Sequence, residues 1–264
     1  MTSPPSIKGR FGFRLGTTSF VLADDILPNV RFLGPLVDEI ELVWFEGPPC
    51  EETLRDLPIL ARDHGLRYNV HLPLDLFVGD PDLETRSQSL DKARRCLELA
   101  MPLDPTCLIL HLENRGPDRT ALGPDLEWLE RIESGFIRLA ASIGSSELLA
   151  VENTDFPLVW VEEPVRRAGG SFCLDLGHLA REGSDLSGAW QRFGDRTIMI
   201  HAYGLRPDGR HGSLRLAPKS DLTYLSAILA EYRGGLSLEV FDLESFTESV
   251  QCLRETIKGN DASW

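Results

Sequence analysis

Two periodicities alternate along this chain. Short apolar or β-branched runs recur at "FRLGTTSF" (13–20), "DEIELVWF" (38–45), "RYNVHLP" (67–73), "CLILHLEN" (107–114), "LLAVENT" (148–154), "SFCLDLGHL" (171–179), "TIMIHAYG" (197–204) and "LSLEVFD" (236–242). Their length and turn-rich boundaries predict strands. Between them, "EETLRDLPILARDHG", "ETRSQSLDKARRCLELA" and "DLEWLERIESGFIRLAASIG" carry apolar residues at three- and four-residue spacing with charges opposite, and "LESFTESVQCLRETIKG" repeats the pattern near the end. These are amphipathic helices, and Gly65 and Gly144 stand where a left-handed C-cap belongs.

Strand and helix alternate without a Pro/Gly/Ser-rich linker, which favours a parallel sheet with helical crossovers over a domain break. Eight such units in 264 residues match an α/β fold of the (β/α)8 TIM-barrel type. A doubly wound open sheet is the alternative, but no GxGxxG or GxxxxGK follows a strand. The expected organisation is a flexible N-terminus over 1–12, one barrel domain over 13–258 and a short tail over 259–264. Long irregular segments at about 74–83, 115–124 and 205–219 follow strands directly, where a barrel keeps its active-site loops.

Composition narrows the partners. A net charge of −14 repels polyanions, so no duplex DNA is expected as a ligand. No stretch approaches the ~18 apolar residues of a membrane span, so no membrane partner is expected either. The five cysteines are widely spaced and lack a CxxC pair, which fits neither a disulfide framework nor a thiolate zinc site and points to a reducing cytoplasm.

Once the strands are placed, polar residues gather at their ends. His71 and His111 end the third and fourth strands, and Glu152 the fifth. Asp175 and His178 end the sixth, His201 the seventh and Glu239 the eighth, with His211 in the loop before it. A lone strand-end His or Glu is ordinarily a hydrogen-bonded structural group. Three carboxylates and five imidazoles at one end of a barrel are costly to desolvate without a cation, so the set predicts a divalent metal site. Mixed His and carboxylate donors suit Zn, Mn, Fe or Co without selecting among them.

Three further features are candidates for substrate contact. Glu41 can point inward from the second strand, toward substrate or behind a ligand, with a solvated or helix-capping role as the alternative. Asn153 adjoins Glu152 and serves either substrate or the loop. The loop "GLRPDGRHGSLRLAPK" sets Arg206 and Arg210 beside His211, and arginine forks suit phosphate oxygens. No GxSxG, HExxH or Cys/His nucleophile pair supports acyl-enzyme chemistry.

The ordered set His71, His111, Glu152, Asp175, His178, His201, His211 and Glu239 resembles the xylose isomerase-like barrel superfamily, over about residues 13–258. That resemblance implies one metal held by Glu152, Asp175, His201 and Glu239, with both glutamates also acting as acid and base in its sugar epimerases. The metal-nuclease branch would add a second site at His71, His111 and Glu152 and a third at His178 and His211. Gly209 stands where that third site has an Asp.

The segments "FRLGTTSFVLADDILPNVRFLGPLVDEIELVWFEG", "LDLGHLAREG" and "GRHGSL" are similar to the cobamide-remodelling phosphodiesterases of the superfamily. These cut the nucleotide loop of corrinoid cofactors to cobinamide phosphate and an α-ribosyl nucleoside. The leading expectation is therefore a metal-dependent phosphodiester hydrolase acting on a small phosphorylated substrate, a cobamide. Glu152, Glu239 and His178 would be catalytic, and Arg206, Arg210, Asn153 and Glu41 would contact substrate. Sugar or sugar-phosphate isomerisation by one metal and two glutamates is the first alternative, and a non-catalytic corrinoid or sugar-phosphate binding barrel the second.

Overall fold

Each of the eight apolar runs becomes a strand of one closed parallel barrel. The computed structural model describes residues 6–113, 123–154 and 156–258. The barrel strands are β1 (Arg14–Thr18), β2 (Glu39–Val43), β3 (Arg67–His71), β4 (Leu108–Leu110), β5 (Leu149–Glu152), β6 (Ser171–Asp175), β7 (Thr197–His201) and β10 (Gly235–Leu238). Neighbours pair in chain order, and β10 closes on β1 through Arg14 to Gly235 and Thr17 to Leu238. A small antiparallel hairpin, β8 (Gly204–Leu205) with β9 (His211–Gly212), stands in the loop after β7.

Helices fill every crossover: α1 (Ile26–Leu33), α2 (Glu51–His64), α3 (Leu83–Ala100), α4 (Leu126–Ile143), α5 (Glu162–Arg167), α6 (Leu176–Glu182), α7 (Leu186–Phe193) and α8 (Lys219–Glu231), with α9 (Leu243–Lys258) following β10. Side-chain caps start several of them. Asp82 accepts from the Thr85 N–H at 2.7 Å and Asp185 from the Gly188 N–H at 2.7 Å, each satisfying a donor the first turn would otherwise leave free. The two expected C-cap glycines are left-handed, with φ of 58° at Gly65 and 68° at Gly144.

The strands are two-faced, and this positions the site. Leu108, Leu110, Val151, Leu174 and Ile200 belong to the main core. The alternating residues Cys107, Ile109, Ala150, Cys173 and Met199 form a separate buried cluster. A period of two requires that split, because successive side chains point to opposite faces. Two positions further along the lumen-facing rows come His111, Glu152, Asp175 and His201. At the opposite end of the lumen, Glu39 is 1% exposed and fully partnered. It pairs with Arg14 Nε at 2.9 Å, accepts from Asn69 Nδ2 at 3.1 Å and accepts from the Thr106 hydroxyl.

Two expectations are refined. Residues just before the first strand are not all a free lead-in: Ile7 is 3% exposed and its N–H donates to the Leu36 carbonyl at 2.9 Å. The 205–219 segment contains the β8–β9 hairpin, whose two-residue strands are too short to show a period; Pro207, Asp208 and left-handed Gly209 (φ 79°) make its turn. Most of the 115–124 segment and the whole 259–264 tail lie outside the described residues.

Close strand approach makes one fold prediction. A Cβ on Gly16 would lie 2.6 Å from the Glu39 carbonyl oxygen on the neighbouring strand. Gly16→Ala is expected to cost about 1–3 kcal/mol by overpacking, read as a lower urea midpoint at unchanged m-value; an unchanged midpoint would refute the contact.

Candidate metal centre

The residues expected at strand ends meet in one buried layer. His201 Nδ1 lies 3.2 Å from Glu152 Oε1, 3.4 Å from Glu239 Oε2 and 3.6 Å from Asp175 Oδ2. The four donor atoms lie within 4.8 Å of one another. Exposure is 1% for Glu152, 0% for Asp175 and His201, and 6% for Glu239, so water cannot screen the three carboxylates.

Asp175 answers to two demands. Its Oδ1 caps α6 by accepting from the His178 N–H at 2.6 Å, while Oδ2 has no hydrogen-bond partner. The strand end, the helix start and the placement of His178 are therefore set by one carboxylate. Asn153 fixes the same corner rather than facing substrate: its Nδ2 donates to the Asp175 carbonyl at 3.0 Å and its Oδ1 accepts from the Asp175 N–H at 2.8 Å.

Behind His201 sits Glu41, fully buried, with Oε2 3.1 Å from His201 Nε2 but out of line for a hydrogen bond. A carboxylate against the far nitrogen of a ligating imidazole orients the ring and raises its basicity. That is the position-holding role weighed for Glu41, which does not line the mouth cavity but also converges with His71 and Glu239 in a further possible metal group.

A second group adjoins the first. His111 Nε2 is 3.0 Å and His71 Nε2 is 3.4 Å from Glu152 Oε2. The His71 Nδ1–H donates to its neighbour's carbonyl, Leu72 O, at 2.9 Å. That tautomer leaves the Nε2 lone pair facing a carboxylate oxygen, an arrangement that a cation between them would stabilise. Glu152 thus turns Oε1 to one group and Oε2 to the other.

Electrostatics report the same crowding. Burial, aided by Asp175 and Glu152 and opposed by His201, pushes the Glu239 carboxyl up to about 8. Burial works against charging His111, yet Glu152 and Glu113 outweigh it and raise the imidazole to about 10. Burial likewise opposes ionisation of Glu152, but His201 and His111 hold its carboxyl well below the usual range. Cys173 also approaches Glu152 and His201, and burial raises its thiol far above neutrality. The residues therefore fit a divalent cation: unpartnered Asp175 Oδ2 and Glu239 Oε2 are buried together beside His201 Nδ1, with more carboxylate than the imidazoles satisfy.

Of the expected third site, His178 and His211 both line the mouth, but neither belongs to a group of three or more converging donors among the described residues. His211 stacks on Tyr203 with ring centroids 3.7 Å apart, and its Nδ1 is 3.0 Å from the Glu239 carbonyl. His178 lines the mouth with Nδ1 unpartnered. Arg206 and Arg210 are not at the mouth. Arg206 is tied to Asp242 at 2.6 Å and Ser245 at 2.9 Å, and Arg210 to Asp208 at 2.7 Å on the hairpin turn.

The mouth is a cavity of about 330 Å³ floored by His71, His111, Glu152 and Glu239, with Phe45, Leu74 and Phe241 at its rim. Two clefts of about 460 Å³ elsewhere lack such a convergence of titratable groups. Sequence reasoning missed Glu113 and Arg181, both of which line the mouth. Each had a signal: Glu113 lies two positions beyond His111, and Arg181 lies one helical turn beyond His178.

The chain belongs to the xylose isomerase-like TIM barrel family, which matches residues 34–256. Solved structures similar to it include a D-tagatose 3-epimerase-like protein, at TM-score 0.76 and 18% identity over 95% of this chain and 100% of that one. An L-ribulose 3-epimerase matches at TM-score 0.70 and 16% identity over 95% and 97% of the two chains. A D-psicose 3-epimerase from Clostridium cellulolyticum H10 matches at 0.69 and 16% over 94% and 96%. At such identities the likeness carries the fold alone. No curated protein matches the chain by sequence. Two of these neighbours are sugar epimerases and the third is epimerase-like, and none of the three is described as a corrinoid phosphodiesterase.

Metal should therefore stabilise the protein. A divalent cation at about a hundred times its Kd is expected to add about 2.7 kcal/mol, seen as a rise in Tm that chelator reverses. Asp175→Asn should abolish most of that rise; a Tm indifferent to metal in the parent protein would remove the site.

Proposed function

We propose that this barrel hydrolyses a phosphodiester with divalent metal, and that its substrate is the nucleotide loop of a corrinoid cofactor. The observation that carries the hydrolytic reading is the division of Glu152, whose Oε1 faces His201 at 3.2 Å while Oε2 faces His111 at 3.0 Å and His71 at 3.4 Å. Glu152, Asp175, His201 and Glu239 would hold one cation, and His71 and His111 would hold a second with Glu152 between them. A single-metal sugar site has no need of that second pair, whereas in-line displacement at phosphorus places charge on both attacking and leaving oxygens. The bound metal would lower the pKa of water and offset charge on the phosphoryl oxygens.

The chain's own groups supply the rest. Glu152 fixes the spacing of the two groups, and Glu41 holds the His201 ring. His178, carried on α6 and lining the mouth, would give a proton to the leaving ribose oxygen. Water forms the new P–O bond, the ester P–O bond to the nucleoside breaks, and phosphate stays with the cobinamide. The corrinoid substrate rests on the likeness of segments 13–47, 174–183 and 209–214. All three reach the same mouth, through Phe45, through His178 and Arg181, and through His211.

A second reading, epimerisation or isomerisation of a sugar, is favoured by the four-donor group and by the sugar epimerases of the same fold. There Glu152 and Glu239 would exchange a proton at a carbon beside a carbonyl.

Cobamide cleavage by the metal-loaded protein, followed chromatographically, separates the two. The hydrolytic reading expects cobinamide phosphate and α-ribosyl nucleoside, a fall of at least about a hundredfold in Glu152→Gln, and two metals per chain by elemental analysis, reduced to one in His71→Ala. One metal per chain, no cleavage, and solvent deuterium entering a sugar carbon would sink it in favour of epimerisation.

A further inference from the structure

The sequence offers several arginines for an anionic substrate, and the structure sorts them by their partners. Arg206 is engaged by Asp242 and Ser245, Arg210 by Asp208, and Arg215 by Glu255 at 3.0 Å. A guanidinium already neutralised by a carboxylate contributes little further attraction. Arg181 differs. It is exposed, and among the described residues it forms no ion pair and is the one Lys or Arg lining the mouth cavity.

Its placement is built into the fold. Asp175 caps α6 and sets the helix start, and His178 and Arg181 lie three residues apart, which puts them on one helical face. One guanidinium nitrogen, Nη2, donates to the Gly209 carbonyl at 3.2 Å. This contact ties α6 to the hairpin turn and leaves the remaining N–H groups of the fork to a ligand. The need for such a group follows from the floor. Glu113, Glu152 and Glu239 all line the cavity, so an arriving anion meets negative potential that a cation held in the floor would offset only locally.

We propose that Arg181 binds the outward-facing oxygens of a substrate phosphate and makes the site select a phosphate ester over the corresponding neutral polyol. The assignment of that phosphate to a diester under hydrolysis rests on the reading above. Anion binding by Arg181 is testable without it. Arginine is suited to the task because its charge is permanent and its fork matches two phosphate oxygens.

The test is calorimetric titration of inorganic phosphate into the manganese-loaded protein, with metal content checked by elemental analysis. Arg181→Ala is expected to weaken phosphate binding by roughly tenfold to a hundredfold. Arg181→Lys should recover part of the loss, and Arg210→Ala should bind as the parent does. With a cleavable substrate, Arg181→Ala should raise KM by a similar factor and change kcat far less. Unchanged phosphate affinity in Arg181→Ala, or no phosphate binding by the parent protein at millimolar concentration, overturns the proposal. Phosphate binding that depends on Arg181, without any cobamide cleavage, supports the proposal and removes the hydrolytic reading instead.

Discussion

Desolvated like charge is the constraint on which this structure turns. Glu41, Glu152, Asp175 and Glu239 converge at one end of the barrel with exposures of 0–6%, and neighbouring unit charges at an effective protein dielectric near 20 interact by about 4 kcal/mol at 4 Å. The imidazoles of His71, His111 and His201 relieve part of that repulsion, and a divalent cation would relieve more. The strands below tolerate the arrangement because the lumen beneath it is packed with Cys107, Ile109, Ala150, Cys173 and Met199, which exclude water and fix the layer's height.

Glu39 and Glu41 show how the barrel's two ends differ. They sit two residues apart on β2, face the same lumen and are equally buried. Glu39 meets a guanidinium, an amide and a hydroxyl, a closed network that holds strands together. Both oxygens of Glu41 lack a hydrogen-bond partner. Identical backbone context with opposite satisfaction marks the C-terminal end as the functional one, in keeping with the general behaviour of (β/α)8 barrels.

Much of this was legible in the sequence. Strand spacing gave the closed barrel, and the strand-end position of His71, His111, Glu152, Asp175, His201 and Glu239 gave the layer, because a period of two sends residues at i and i+2 to one face. What stayed hidden depended on partners. A sequence shows that Arg206 and Arg210 are positive but not that Asp242 and Asp208 neutralise them. It shows Asn153 beside Glu152 but not that its amide brackets the Asp175 peptide. His178 and His211 share the mouth, but the stacking of His211 on Tyr203 is a tertiary contact that no spacing rule encodes.

The superposing sugar epimerases and the proposed hydrolase need not be in conflict, because fold and chemistry are separable on a barrel. Four donors at the ends of β5, β6, β7 and β10 form a group that either reaction can use. Chemistry is then decided by what stands beside that group, on β3 and just beyond β4. There His71 and His111 meet the second oxygen of Glu152, a contact that a second cation or an imidazolium–carboxylate pair would each satisfy. The same carboxylate that the sequence places at a strand end is thus the point at which the two readings part.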